Sequence, residues 1–111
     1  MKVLVVECGK DPYIKDIPPG LSSLQAEVGG YIEAIYPFED QIALICNESG
    51  KIDKLTPNRL LLTENGSAYD YIAGTFLVVG LADSSFTGLS DEQVKTYLER
   101  FSVESVGVVV G

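Results

Sequence analysis

The chain has 111 residues, enough for one domain with a modest core, and its 46% hydrophobic and 22% charged residues are typical of a folded protein. Its 16 acidic residues against 8 basic ones give a formal net charge of −8, which disfavours direct binding to nucleic acid because like charges repel. The chain contains no histidine, the commonest general base and metal ligand, and only two cysteines, so we expect no metal site and no cofactor.

The opening residues MKVLVVE hold an apolar run that is too short for a signal peptide. No apolar run elsewhere approaches the ~18 residues of a membrane helix, so we expect no interaction with a membrane. These features predict a cytoplasmic protein. In that compartment Cys8 and Cys46 are expected to stay reduced.

The first third of the chain predicts two strands and a helix. Residues 2–7 are apolar and β-branched, as in an interior strand, and residues 12–17 alternate weakly, as in a more exposed one. Apolar residues at helical spacing predict a short helix over residues 20–29. Ser22, with a glutamine three residues later, resembles a capping box, and Gly29 is suited to ending the helix.

The middle of the chain predicts a β-hairpin and one ambiguous segment. Residues 31–38 and 41–46 are two β-rich runs, with Pro37 near the end of the first strand, where a missing N–H is tolerated. A turn is expected directly after them. Within residues 51–63, the sequence Thr-Pro-Asn-Arg is typical of a helix start, with Pro57 at the first helical position.

The last third predicts a buried strand and an amphipathic helix. Residues 72–81 form the most apolar run, in which Gly74 and Gly80 indicate bulges or close backbone approaches. Residues 90–101 begin with a capping box at Ser90 and continue with apolar residues at the spacing of one helix face.

The C-terminal segment, residues 102–111, ends in the β-prone sequence VGVVVG. Left unpaired it would promote aggregation, so we expect it to add a strand to the sheet or to pair with another subunit in a homo-oligomer. Together these elements predict a single α+β domain. Its mostly antiparallel sheet has five or six strands, with one or two helices packed on one face.

One segment, residues 45–61, is basic in an otherwise acidic chain. It holds three of the eight basic residues, which are Lys51, Lys54 and Arg59. If the turn after residue 46 faced a helix start at residue 57, the elements of an anion site would meet there. The candidate ligand-binding residues are Asn47, Lys51, Asn58 and Arg59. The alternative is a polar connection whose asparagines satisfy turn backbones and whose bases pair with carboxylates.

Catalytic patterns are missing from the sequence. The adjacent carboxylates at 39–40 and 91–92 fit a solvated loop and a helix start, and they lack the spacing of a metal loop. Cys8 and Cys46 adjoin apolar strands, where a buried and inert thiol is the usual state. We therefore predict that the protein is not an enzyme and name no catalytic residue.

The runs GGYIEAIYPF, CNESGK, PNRLL and YDYIAGTFLVVGL resemble a small domain-of-unknown-function family of phages, prophages and conjugative elements, often encoded beside antirestriction genes. The resemblance extends from Lys2 to about Phe101. The family-like positions are Gly30, Glu33, Asn47, Glu48, Gly50, Lys51, Asn58, Arg59, Ile72 and Gly74. Lys54 departs from the pattern, because many relatives have glycine there, and the tail from residue 103 is particular to this chain.

This resemblance implies a mobile-element origin and a role in the bacterial cytoplasm. We therefore expect a non-enzymatic binding protein that blocks or sequesters a host factor, as a counter-defence inhibitor does. Its partner is expected to be either a basic, nucleic-acid-binding host protein or a small anionic ligand such as a nucleotide. The alternatives are a small hydrolase or nucleotide-processing enzyme and a structural accessory of the element. An acidic surface that only maintains solubility is the simplest explanation of the charge.

Overall fold

Two β-sheets and two helices make up the described part of the chain, residues 1–105 and 107–110, in a computed structural model. In chain order the elements are β1 (Lys2–Val6), β2 (Tyr13–Asp16), α1 (Leu21–Val28), β3 (Ile32–Ile35), β4 (Ile42–Asn47), β5 (Pro57–Leu62), β6 (Ala68–Ala73), β7 (Phe76–Ala82), β8 (Ser85–Thr87), α2 (Asp91–Arg100) and β9 (Gly107–Val109). The predicted α+β class is confirmed.

The larger sheet has the strand order β2-β1-β7-β4-β3, with β8 paired to the end of β7, and every pairing in it is antiparallel. Its three central strands β1, β7 and β4 are buried along nearly their whole length. This burial on both faces explains why they are continuous apolar runs rather than alternating ones.

The two helices cover opposite faces of this sheet. Leu24 and Val28 of α1 pack on one face against residues such as Val3 and Val79. Tyr97 and other apolar residues of α2 pack on the other face together with the smaller sheet. The sequence predicted one or two helices on one face of the sheet, and in the described part of the chain α2 is the one helix on its face. Of the two options, the one with a second helix on that face does not hold, since α1 covers the opposite face. A sheet whose central strands are apolar on both sides needs cover on both sides.

The helix ends differ in how they are capped. In α2 the backbone N–H of Gln93 donates to Ser90 Oγ at 3.1 Å, and the Ser90 N–H donates to Gln93 Oε1 at 3.0 Å, so the predicted capping box is confirmed. Helix α1 instead begins after Gly20 with no side-chain cap, so the capping box predicted at Ser22 was wrong. Gly29 ends α1 in the left-handed conformation at φ 79°, as predicted.

The smaller sheet is formed by β6, β5 and β9, with β5 antiparallel to β6 and parallel to β9. The helix start predicted at Pro57 is wrong, because this residue begins strand β5. The Thr-Pro-Asn sequence favours a helix start locally, but β5 pairs with a strand on each side and buries its Leu61 in the core, and these contacts favour a strand.

Residues 72–81 do not form one strand. Strand β6 ends at Ala73, Gly74 adopts φ +80°, and β7 begins at Phe76, so the chain crosses there from the smaller sheet to the larger one. The predicted close approach at Gly80 is confirmed, since a Cβ at this position would lie 2.6 Å from the Gly88 carbonyl oxygen.

The C-terminal segment adds to a sheet within the same chain. Strand β9 pairs with β5 from Leu60 to Leu62, and Val108 enters the core beside Leu61 and Ile72. The predicted extra strand is therefore confirmed for Gly107–Val109. The parts of this prediction that concern residues 106 and 111 lie outside the described residues.

Candidate functional site

The four candidate residues of the basic segment fall into two separate pairs. Asn47 and Lys51 line a cavity between the two sheets. Asn58 and Arg59 do not line it, and their side chains bind backbone carbonyl groups elsewhere in the fold. The predicted meeting of all four residues depended on a helix start at residue 57, which does not form, so that arrangement was wrong.

Arg59 caps the C-terminal end of α2 from the smaller sheet. Its side chain is buried, with 4% of the residue exposed. Nε and Nη2 donate to the carbonyl oxygen of Phe101 at 3.3 and 2.7 Å, and Nη2 also donates to the carbonyl oxygen of Lys10 at 2.7 Å. Burial lowers the pKa of the Arg59 guanidinium, but carbonyl oxygens at a helix C-terminus favour the cation. These contacts give Arg59 a structural role.

Asn58 joins the two sheets where the chain crosses between them. Its Nδ2 donates to the carbonyl oxygen of Val6 at 2.8 Å and to that of Gly74 at 2.9 Å. Its Oδ1 accepts from Arg59 Nη1 at 2.8 Å. Both donor hydrogens and the acceptor oxygen of the amide are thereby engaged within the fold.

Asn47 connects the turn after β4 to the end of α1. Its Nδ2 donates to the Val28 carbonyl oxygen at 3.2 Å, and its Oδ1 accepts from the Ser49 N–H at 2.8 Å. A Cβ at Gly30 would lie 2.9 Å from this Nδ2, so the absence of a side chain at Gly30 makes room for the amide. Asn47 thus shapes the edge of the cavity and holds the turn that carries Lys51.

Lys51 closes one side of the cavity through an ion pair with Asp70 of β6. The hydrogen bond between them raises the pKa of Lys51 and lowers the pKa of Asp70. The Lys51 Nζ also lies 4.7 Å from the centre of the Tyr71 ring, within the range of a cation–π contact. The ammonium expected to bind an anion is therefore already paired with a carboxylate.

The cavity has a volume of about 270 Å³ and lies between β3 and β4 on one side and β6 on the other, under the turn that follows β4. It is lined by Glu33, Ile35, Cys46, Asn47, Glu48, Gly50, Lys51, Ile52, Asp70, Tyr71, Ile72 and Ala73. Three of these residues are acidic and one is basic, which leaves a formal charge of −2 around the cavity. Such a field favours a cationic ligand over an anionic one.

Cys46 lies at this cavity but is poorly suited to nucleophilic chemistry. Only 7% of the residue is exposed, and its Sγ lies 3.6 Å from the Glu33 carbonyl oxygen. Burial, with a further contribution from the charge of Glu33, raises the pKa of the Cys46 thiol to about 11. The thiol therefore stays protonated near neutral pH, where the thiolate is the reactive form.

The sequence did not identify Glu33 or Asp70 as site residues. Alternation along β3 was the available signal, because it places Glu33 and Ile35 on the same face of the strand. The opposite wall of the cavity, formed by β6, could not be predicted from the sequence. Asp70 lies on a strand of the other sheet, and its distance from Glu33 depends on how the two sheets pack.

Two general features of the described residues bear on the kind of site. Within residues 1–105 and 107–110, no group of three or more Cys, Asp or Glu side chains is placed to hold a metal ion. Neither helix in that part of the chain is long and apolar enough to cross a membrane.

The model of a family described as "Domain of unknown function (DUF3846)" matches residues 1–102, which is nearly the whole chain. No curated protein and no solved structure matches the sequence.

Proposed function

The chain belongs to the DUF3846 family, and we propose that it is a non-enzymatic binding protein of a phage or other mobile element. It occupies a basic surface of a host protein and thereby acts as a counter-defence inhibitor in the bacterial cytoplasm. The observation that supports this proposal best is the acidic cavity between the sheets, with a formal charge of −2, in a chain whose net charge is −8.

Two kinds of partner were expected from the sequence, and the site geometry favours one of them. An anionic ligand would need free cations, but Lys51 is paired with Asp70 and Arg59 is buried against carbonyl oxygens. Glu33 and Glu48 line the same cavity, and among the described residues neither takes part in an ion pair. Accessible carboxylates of this kind complement a lysine or arginine of a protein partner.

The family-like positions of the sequence support the same site. Most of them have contacts that explain them through the fold, namely Gly30, Asn47, Gly50, Asn58, Arg59, Ile72 and Gly74. The three that remain are Glu33, Glu48 and Lys51, and all three line the cavity. Lys51 is held at the cavity by its ion pair with Asp70, so a binding role is what accounts for Glu33 and Glu48.

The proposal is tested by capturing partners from host lysate with the wild-type chain and with a Glu33→Gln, Glu48→Gln double variant. The Glu99→Gln variant is the matched control, because Glu99 is an exposed carboxylate on α2 that does not line the cavity. A captured protein is then purified and titrated. We expect a basic partner whose affinity falls about tenfold in the double variant and increases at low salt.

A thermal-shift panel of nucleotides provides the opposing test. Stabilisation by a nucleotide that is lost in a Lys51→Gln variant would overturn the proposal in favour of an anionic ligand. Equal capture of every partner by the wild-type chain and the double variant would also contradict it, because the cavity carboxylates would then have no role in recognition.

A further inference from the structure

Beside the cavity, the larger sheet ends in an open strand edge. Strand β3 is the last strand of this sheet, and among the described residues it pairs only with β4. The Glu48 N–H donates to the Tyr31 carbonyl oxygen at 2.9 Å, which fixes the direction of the backbone groups there. Because this direction alternates along a strand, the N–H and C=O groups of Ile32 and Ala34 point away from β4.

The side chains of β3 divide between two environments. Ile32 and Ala34 pack toward the α1 face of the sheet, whereas Glu33 and Ile35 line the cavity. A strand added to the open edge would follow the same alternation and would turn every second side chain toward the cavity. The opposite wall is β6, which is itself an edge strand of the smaller sheet.

The chemistry around this edge suits a basic and partly apolar segment. Exposed apolar side chains are part of this region: Ile52, which lines the cavity, is 84% exposed, and Tyr31, directly before β3, is 74% exposed. Lysine and arginine combine an apolar stem with a cationic head, so they can cover such side chains while the head reaches a carboxylate.

We infer that this groove, formed by the open edge of β3 and the cavity, binds an extended segment of a partner protein that carries lysine or arginine. The segment pairs with the backbone of Ile32 and Ala34 and places a basic side chain against Glu33 and Glu48. This inference rests on the proposed function above and specifies how the partner is recognised. Charge complementarity selects the occupant, because the cavity carries a formal charge of −2.

A charged residue that points inward from an edge strand also protects a sheet against aggregation, so Glu33 has a second explanation. The two explanations differ in what they allow to bind. A carboxylate in this position repels acidic strands and imposes a desolvation cost on neutral ones. A basic strand neutralises the carboxylate. Protection alone predicts no binding by any strand, whereas the groove predicts binding by a basic one.

The test uses short peptides of alternating lysine and valine as probes, with the full chain. A glutamate–valine peptide is the control for charge, and an N-methylated lysine–valine peptide is the control for backbone pairing. We expect the lysine–valine peptide to bind in calorimetry and to slow amide hydrogen exchange at Ile32 and Ala34. We expect about tenfold weaker binding to the Glu33→Gln, Glu48→Gln variant and unchanged binding to Glu99→Gln. Neither control peptide should bind measurably.

Several results would overturn the inference. The lysine–valine peptide could bind the double variant as tightly as the wild-type chain, bind neither, or slow exchange at another edge such as β2. Binding of the N-methylated peptide would count against the inference as well. The lysate experiment distinguishes this failure from failure of the proposed function. A basic host partner that still depends on Glu33 and Glu48 would preserve the proposed function while excluding pairing with β3.

Discussion

The guanidinium of Arg59 and the carbonyl oxygen of Phe101 are joined by two hydrogen bonds at 3.3 and 2.7 Å. This contact fastens the smaller sheet to the C-terminal end of α2. A third bond to Lys10 brings the connection after β1 into the same cluster. The most basic side chain of the segment expected to bind a ligand thus holds three distant parts of the chain together.

Replacing Arg59 by methionine is expected to lower the free energy of unfolding by about 3 kcal/mol, because the buried Phe101 carbonyl and the partly buried Lys10 carbonyl lose their donor. Arg59→Lys keeps the charge but cannot reach several acceptors at once, so most of the loss should remain. Urea unfolding measures both variants. Lys95→Met, on the exposed face of α2, is the control and should change stability little. An Arg59→Met chain as stable as the wild type would refute the structural role.

A double-mutant cycle tests the contact between Gly30 and Asn47. Asn47→Ala should cost about 2 kcal/mol, because the Val28 carbonyl and the Ser49 N–H lose their partner. Gly30→Ala should cost about 1 kcal/mol by pressing on the Asn47 amide, and this cost should largely disappear in the Asn47→Ala background.

Gly29→Ala is the control for this cycle. Its cost of about 1 kcal/mol comes from the left-handed backbone at φ 79°, so it should be the same in the wild-type chain and in the Asn47→Ala background. Identical costs for Gly30→Ala in the two backgrounds would show that Gly30 and Asn47 do not interact.

The hydrogen bond from the Tyr97 hydroxyl to Asp40 Oδ2, at 2.9 Å, should make stability depend on pH at both extremes. Burial alone raises the pKa of Asp40, but hydrogen bonds from Tyr97, the Gln41 N–H and Gln93 outweigh it and hold the pKa below the usual 3.8. The folded state therefore binds fewer protons than the unfolded one at low pH. The stability from Asp40 is present above about pH 4 and is lost as the pH falls through the lowered pKa.

The same bond acts in the opposite direction on the tyrosine. Burial, followed by the bond to Asp40, raises the pKa of Tyr97 above its usual 10.0. The stability that Tyr97 contributes is therefore fully present below about pH 10 and is lost as the pH rises through the raised pKa. Tyr97→Phe should cost about 1 kcal/mol at neutral pH and should flatten both limbs of a stability–pH profile from urea unfolding. Unchanged limbs in the variant would assign the pH dependence to other groups.

Cys46 should resist alkylation until the chain unfolds. Only 7% of the residue is exposed, and burial raises the pKa of its thiol to about 11. In a Cys8→Ser variant we therefore expect iodoacetamide to label Cys46 at least about a hundredfold more slowly than in urea. Mass spectrometry gives the rate. Low concentrations of urea should accelerate labelling in proportion to global unfolding. Fast labelling of the native chain would instead indicate an accessible thiolate and would reopen the catalytic alternative.

The sequence predicted those elements whose signals are local. Helix α2 follows from the capping box at Ser90 and from apolar residues on one face, and both signals lie within twelve residues. Strand β5 was missed because Thr-Pro-Asn at its start is also a good helix start. Its true state depends on pairing with β6 and β9, which are distant in the sequence. The break at Gly74 depends likewise on Leu55, whose side chain fills the space at the crossing.

The candidate site was half predicted for the same reason. Asn47 and Lys51 sit on one turn, so proximity in sequence placed both at the cavity. Asn58 and Arg59 are close in sequence as well, but β5 carries them away from that turn and into contacts with Val6 and Phe101. The spacing of residues along the chain does not show which sheet a strand joins. Strand pairing decides which residues line a cavity between two sheets, and therefore the formal charge of that cavity.

Two neighbouring valines of β9 face different environments. Val108 is 3% exposed in the core and Val109 is 47% exposed, so Val108→Ser should destabilise the chain by about 2 kcal/mol and Val109→Ser hardly at all. Deleting residues 107–111 should destabilise the chain more than Val108→Ser does, because the deletion also uncovers the edge of β5 at Leu60–Leu62. We expect self-association in light scattering only after the deletion, since pairing within the chain otherwise occupies that edge. A full-length oligomer that dissociates on deletion would show instead that the C-terminal strand pairs between subunits.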